Sequence, residues 1–109
     1  MHATNNRKIK KEIIWWIQSN LKIVLKLIDV RVTDFAKMLG TSRQSLYTIL
    51  KHEDAINGRW VLSIFYLLDY IYVDYLMKGK LGSREYEEAL KLMTPMAYYR
   101  THITEIYDD

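Results

Sequence analysis

Between Val32 and Lys51 the chain reads VTDFAKMLGTSRQSLYTILK, and five side chains in its second half have the types that read nucleic acid. Arg43 carries a planar fork of donors that matches guanine O6 and N7. Gln44 offers a donor and an acceptor that match adenine N6 and N7. Tyr47 and Thr48 follow one helical turn later, where they reach a thymine methyl or the sugar-phosphate backbone. Lys51 closes the run with a charge suited to phosphate, as do Thr33 and Lys37 earlier in the segment.

Such a set works only if a helix presents it. Thr33 is an expected N-cap for a first short helix, with Asp34 at its positive end. Phe35, Ala36 and Leu39 recur at helical spacing and form its buried face. Gly40 stands where a left-handed residue would end that helix. Ser42 is then the expected N-cap of a second helix, which buries Leu46, Ile49 and Leu50. Ala36 supplies the small side chain needed where two helices cross steeply, and Gly40 permits the sharp turn between them.

With those residues in place, the segment resembles the helix-turn-helix of phage-repressor-type (Cro/CI, XRE) regulators. The small residue corresponds to Ala36, the turn glycine to Gly40, and the hydrophobic positions to Phe35, Leu39, Leu46 and Ile49. Two positions depart from the family pattern. Val32 stands where Gln is frequent at the start of the first short helix, and Thr41 replaces the usual aliphatic residue after the glycine. The first departure removes one phosphate or base contact. The stretch GTSRQSLY is also similar to the start of the TetR-type recognition helix, but those chains are longer and carry a large ligand-binding domain for which this one has no room. The resemblance implies a lambda-repressor-like helical fold and sequence-specific binding to double-stranded DNA, with Ser42, Arg43, Gln44, Tyr47, Thr48, Lys51, Thr33 and Lys37 at the contact. It also implies transcriptional regulation, repression above all, of the kind found in phages and plasmids.

Composition agrees with one small helical domain. The chain has 109 residues, one Pro, four Gly and no Cys. The expected fold is all-α: a compact bundle of five to six helices over 1–109, with the helix-turn-helix at 32–52 and a helical dimerisation and support region at 59–107. Absence of cysteine removes disulfides and thiolate metal sites, and fits a cytoplasmic protein. The N-terminal apolar run is too short for a signal peptide. Charge is uneven. Residues 1–55 hold ten Lys and Arg against five Asp and Glu, whereas residues 56–109 hold six against eight. The basic half contains the candidate reading helix, the electrostatic footprint of phosphate binding from one side.

Residues 9–28 read as one long amphipathic helix, or two broken near Ser19-Asn20, with Ile13, Ile17, Leu21, Val24 and Ile28 in one stripe. Arg7, Lys8, Lys10 and Lys11 precede or open it, as a solvated helix start or as a DNA-contacting arm. Residues 51–58 form a loop in which Asn57 can cap the next helix. That helix, about 59–78, is the most apolar. Trp60, Ile64, Leu67, Ile71 and Tyr75 lie on one side, with Val61, Phe65, Leu68, Tyr72 and Leu76 beside them. A membrane span is disfavoured because Asp69 and Asp74 would each cost roughly 2.5–3.5 kcal/mol near a bilayer centre. Burial on two faces is expected instead, one against the domain and one against a second copy, with Trp60, Ile64, Tyr66, Tyr70 and Tyr75 at the dimer contact. Gly79 and Gly82 end this helix and Ser83 caps the next, with Leu90 and Met93 on its apolar side. Thr94-Pro95 reads as the start of a separate last helix, with Met96, Tyr99, Ile103 and Ile106 as its stripe.

No enzyme chemistry is expected. His2, His52 and His102 have no metal-ligand spacing. His52-Glu53-Asp54 fits a solvated or phosphate-facing helix end, and Glu85, Glu87 and Glu88 fit a solvent face. No cofactor, metal or small-molecule ligand is expected. The competing reading is a protein-interaction module, an antitoxin or adaptor, in which the helix-turn-helix serves mainly as a fold element.

Overall fold

The computed structural model describes the backbone of residues 2–51, 58–79 and 83–107, and the side chains of 7–51, 59–79 and 83–103. The chain is all-helical, with no strand among the described residues. Its helices are α1 (His2–Leu27), α2 (Val32–Met38), α3 (Arg43–Lys51), α4 (Gly58–Met77) and α5 (Arg84–Tyr107). The long helices α1 and α5 form the main packed pair, and α4 lies against both. Helix α3 packs on α1, and α2 packs on α3.

One core runs through all five helices. Ile13, Ile17, Leu21, Val24 and Leu25 line the inner side of α1, and Ile28 continues the stripe just past its end. Phe35 and Ala36 come from α2, and Leu46, Ile49 and Leu50 from α3. Val61, Ile64, Phe65 and Leu68 enter from α4, and Ala89, Met93, Met96 and Ile103 from α5. Each buried aliphatic side chain contributes about 1.5–3 kcal/mol, so continuity of these stripes decides where helices run on and where they stop.

That logic selects one of the two readings of α1 and explains why α5 departs from the sequence expectation. Helix α1 is unbroken at Ser19-Asn20 because Ile17, Leu21 and Val24 stay on the core across it; it also starts earlier, at His2, and so encloses Arg7, Lys8, Lys10 and Lys11. It ends on Asp29, whose φ is 60°. Val30 N–H donates to Leu25 C=O at 2.8 Å and Asp29 N–H to Lys26 C=O at 3.2 Å, the double closure usually built on glycine. Aspartate is among the few side chains that tolerate this region.

Helix α5 is continuous through Thr94-Pro95, where a new helix was expected. Pro95 has no N–H for the carbonyl four residues back, a defect worth about 3 kcal/mol in a helix interior. Met93 and Met96 are buried on either side of it, and their burial offsets that cost. The Thr94 hydroxyl donates to Leu90 C=O at 2.8 Å instead of capping. Leu90, expected inside, is 42% exposed, and Ala89 takes the buried position. Ser83 does cap α5, accepting the Tyr86 N–H at 3.0 Å, and Trp16 Nε1 donates to Leu92 C=O at 3.0 Å, tying α1 to α5.

Helix α4 ends at Gly79, φ 77°. Its Arg59–Met77 stretch has the length and apolar composition of a membrane span, with 39% of that window buried in the protein. Asp69 pairs with Arg100 of α5, and Asp74 with Lys78 at 3.0 Å. Asn57, Gly82, Ile106 and His52-Glu53-Asp54 lie outside the described residues or side chains.

Candidate nucleic-acid interface

The geometry of α2, the turn and α3 follows from four residues. Arg31, extended at φ −73° and ψ 143°, is the N-cap of α2 and makes no side-chain capping bond. Thr33 is therefore not the cap. It is the second residue of the helix, half-buried, because the chain already turns helical at Val32 and Arg31 reaches forward to Asp34 (Nε to Oδ2, 3.1 Å). Ala36 is fully buried. Gly40 takes φ 79°, Thr41 N–H donates to Ala36 C=O at 2.9 Å, and Gly40 N–H donates to Lys37 C=O at 3.0 Å. A Cβ at Gly40 would meet no atom within 4 Å, so the requirement for glycine is conformational. Ser42 caps α3: its Oγ accepts the Ser45 N–H at 3.0 Å.

Helix α3 then has two distinct sides. Leu46, Ile49 and Leu50 are buried, while Arg43, Gln44, Thr48 and Lys51 are exposed. Ser42 and Lys37 are exposed beside them. The Thr48 hydroxyl donates to Gln44 C=O at 3.1 Å, which leaves the Gln44 side chain outside that bond.

Tyr47 differs from the expectation of a free reading side chain. It is half-buried, with Lys22 Nζ 5.0 Å and Arg43 Cζ 5.3 Å from its ring centre. Arg43 Nη2 also approaches the phenol oxygen at 3.5 Å. Tyr47 thus acts as a spacer that keeps two cations together at the start of α3. Behind it lies a groove of about 380 Å³, lined by Lys22, Lys26, Arg31, Arg43 and Thr33, with Asp29 as its one carboxylate. Lys22, Lys26 and Arg31 were missed by sequence reasoning. The i, i+4 spacing of Lys22 and Lys26 on α1 was visible and Arg31 stands just before α2, but the adjacency of all three to α3 is a tertiary contact.

The residues expected at a dimer contact divide. Ile64 is fully buried and Tyr75 is 7% exposed, so both belong to the protein's own core, and Trp60 is half-buried against it. Tyr66 and Tyr70 face outward at 48% and 74% exposure, joined by Val73 at 48% and Met77 at 82%. Spaced 4, 3 and 4 residues apart, these four occupy an arc of about 60° opposite the buried side of α4.

No group of three or more His, Cys, Asp or Glu is arranged to hold a metal ion among the described residues. His102 rests against the Tyr98 ring at 4.6 Å between centroids. Glu85, Glu87 and Glu88 are exposed, and Glu88 pairs with Arg84. No family model, curated protein or solved structure matches this chain.

Proposed function

We propose that this protein binds double-stranded DNA sequence-specifically, with α2 and α3 as a helix-turn-helix and α3 as the recognition helix, and that it acts as a homodimeric transcriptional regulator, a repressor by preference. The observation that carries the reading is the two-sided α3. Its apolar side is locked into the core, while Arg43, Gln44, Thr48 and Lys51 are presented together from a capped, glycine-terminated turn. Arg43 and Gln44 at the first turn supply base-edge donors and acceptors, and Lys37, Lys51 and Thr33 supply phosphate contacts. A two-fold pair would set two such helices about 34 Å apart, one in each of two successive major grooves.

A gel shift against fragmented genomic DNA at low and moderate salt, followed by selection of bound sequences, tests the reading. Retention of a defined set of fragments as salt rises supports it. Uniform release of all fragments, or no shift at any salt, defeats it. The second reading, an adaptor or antitoxin, is favoured by one feature, the outward stripe of Tyr66, Tyr70, Val73 and Met77. On that reading substitutions in the stripe abolish function while Arg43→Ala and Gln44→Ala leave it intact.

A further inference from the structure

The outer side of α1 carries a feature that the reading of α3 does not use. Lys8, Lys11, Trp15, Ser19, Lys22 and Lys26 are all exposed. At 100° per residue they share an arc of about 80° with no carboxylate in it, and the arc runs for about 27 Å along the helix. Glu12 stands at its edge, half-buried.

Three basic residues of the other half of the chain are neutralised within the protein. Lys78, Arg84 and Arg100 are each held in an ion pair with Asp74, Glu88 and Asp69. Among the described residues, none of Lys8, Lys11, Lys22 and Lys26 is in an ion pair. Four like charges on one helix face repel, and although Glu12 lies near Lys8 and Lys11 and Asp29 lines the groove with Lys22 and Lys26, neither carboxylate is in an ion pair with them. The arc also joins the start of α3: Lys22 and Arg43 share the ring of Tyr47, and both line the groove with Lys26 and Arg31.

We infer that the α1 arc is a phosphodiester track that extends the DNA contact of α3 along the duplex backbone, with Lys22 and Lys26 nearest the recognition helix and Lys8 and Lys11 farthest from it. The inference rests on the proposed DNA-binding role. A track of about 27 Å spans about eight base pairs of duplex axis, so the footprint extends beyond the bases that α3 can reach. An anionic membrane fits the arc less well. A helix lying in a membrane interface inserts its apolar face, and that face of α1 is committed to the core through Ile13, Ile17, Leu21 and Val24.

The test compares two variants of equal net charge. One changes Lys8, Lys11, Lys22 and Lys26 to Gln. The other changes Arg59, Lys78, Arg84 and Lys91 to Gln. All eight side chains are exposed, and circular dichroism verifies that both variants fold. Binding to a selected duplex is measured across a salt series. The arc variant is expected to lower the slope of log K against log salt by about two to four units, since each phosphate contact contributes about 0.9. The charge-matched variant should lower it by less than one. Trp15, 64% exposed on the arc, should report the contact by a change in emission on duplex binding that disappears in Trp15→Phe.

Equal losses in both variants would reduce the arc to net charge and overturn the track. An unchanged slope in the arc variant, with Arg43→Ala still impairing the selected site, would overturn the track and leave the role of α3 standing. A wild-type chain that binds no duplex at low salt would defeat both. Binding to phosphatidylserine-phosphatidylcholine vesicles that is lost only in the arc variant, without any effect on duplex, would reassign the arc to a membrane surface.

Discussion

Lys22 on α1 and Tyr47 on α3 meet with the ammonium 5.0 Å from the ring centre, and Arg43 approaches the same ring to 5.3 Å. A cation over an aromatic face contributes about 0.5–1 kcal/mol at an exposed site. The ring therefore fixes α3 against α1 and draws two like charges together at the place where an anion would approach. Tyr47→Phe keeps the ring and should change urea-unfolding stability by less than about 0.5 kcal/mol. Tyr47→Ala removes the packing as well and should cost about 1–2 kcal/mol. It should also weaken DNA binding by more than Tyr47→Phe. Equal DNA affinities for the two variants would remove the positioning role assigned to the ring.

Gly40 gives a sharper test of the turn. Its φ of 79° is strained for any residue with a Cβ, yet space is open around it. Gly40→Ala should therefore cost the conformational penalty alone, about 1–2 kcal/mol, and Gly40→Asn less. Equilibrium urea unfolding measures both. A loss above 4 kcal/mol would mean that contacts, rather than φ, dictate glycine at this position.

The base contacts predict a different signature from the phosphate contacts. Arg43→Ala and Gln44→Ala should each cost about 1–3 kcal/mol on a selected site and relax preference at one base pair. Lys37→Ala and Lys51→Ala should weaken all sequences alike, each lowering the salt slope by about one unit. Competition binding with single-base-pair variants of the site separates the two classes. A selected site bound equally by wild type, Arg43→Ala and Gln44→Ala would displace α3 from the major groove.

Much of this geometry was legible in the chain, and the rest was not for identifiable reasons. Ala36, Gly40 and Ser42 signal their roles by residue type, because a small contact, a left-handed turn and a helix cap each admit few side chains. Asp29 performs the same turn as Gly40 but looks like any surface carboxylate. Pro95 imitates a helix start, and only the burial of Met93 and Met96 on both sides shows that the helix continues. Apolar residues surround α4, so the sequence could not say that Ile64 and Tyr75 face the core while Tyr70 and Met77 face outward. Lys22 and Lys26 lie 17 to 21 residues before Arg43, and only the packing of α1 on α3 brings them together.

Two buried tyrosines make the stability of the fold sensitive to alkaline pH. Burial, with smaller effects from Tyr86 and Tyr75, raises the Tyr72 hydroxyl above its usual 10.0. Burial, then Glu12 and Tyr98, does the same for Tyr99. The folded state holds these protons more tightly than the unfolded chain. Their contribution is thus complete below about pH 10 and is lost as pH rises beyond it. Melting temperature should fall above pH 10, and the double change Tyr72→Phe with Tyr99→Phe should flatten that fall. Tyr72 Oη has no hydrogen-bond partner among the described residues. Tyr72→Phe alone should accordingly leave stability at pH 7 unchanged or raise it by up to about 1 kcal/mol. A loss above 1 kcal/mol would reveal a partner for that hydroxyl.

The last prediction concerns assembly through α4. Its inner side, including Val61, Ile64, Phe65 and Leu68, is covered by the protein itself. Its outer arc is Tyr66, Tyr70, Val73 and Met77, and the two aspartates flanking it, Asp69 and Asp74, are already neutralised by Arg100 and Lys78. A second copy can meet this arc through the same four residues, and closed two-fold symmetry is the common arrangement for such a face. Pairing would also make the second half-site contact intramolecular, so that DNA affinity rises without any new contact in α3. Light scattering at micromolar concentration should find twice the 13.1 kDa chain mass. Tyr70→Glu and Met77→Glu should halve that mass and weaken DNA binding together, while Ile64→Glu should unfold the chain instead, because Ile64 has no exposed surface. A wild-type protein that remains monomeric both free and on DNA would end the dimer proposal and leave the arc of α4 to the adaptor reading.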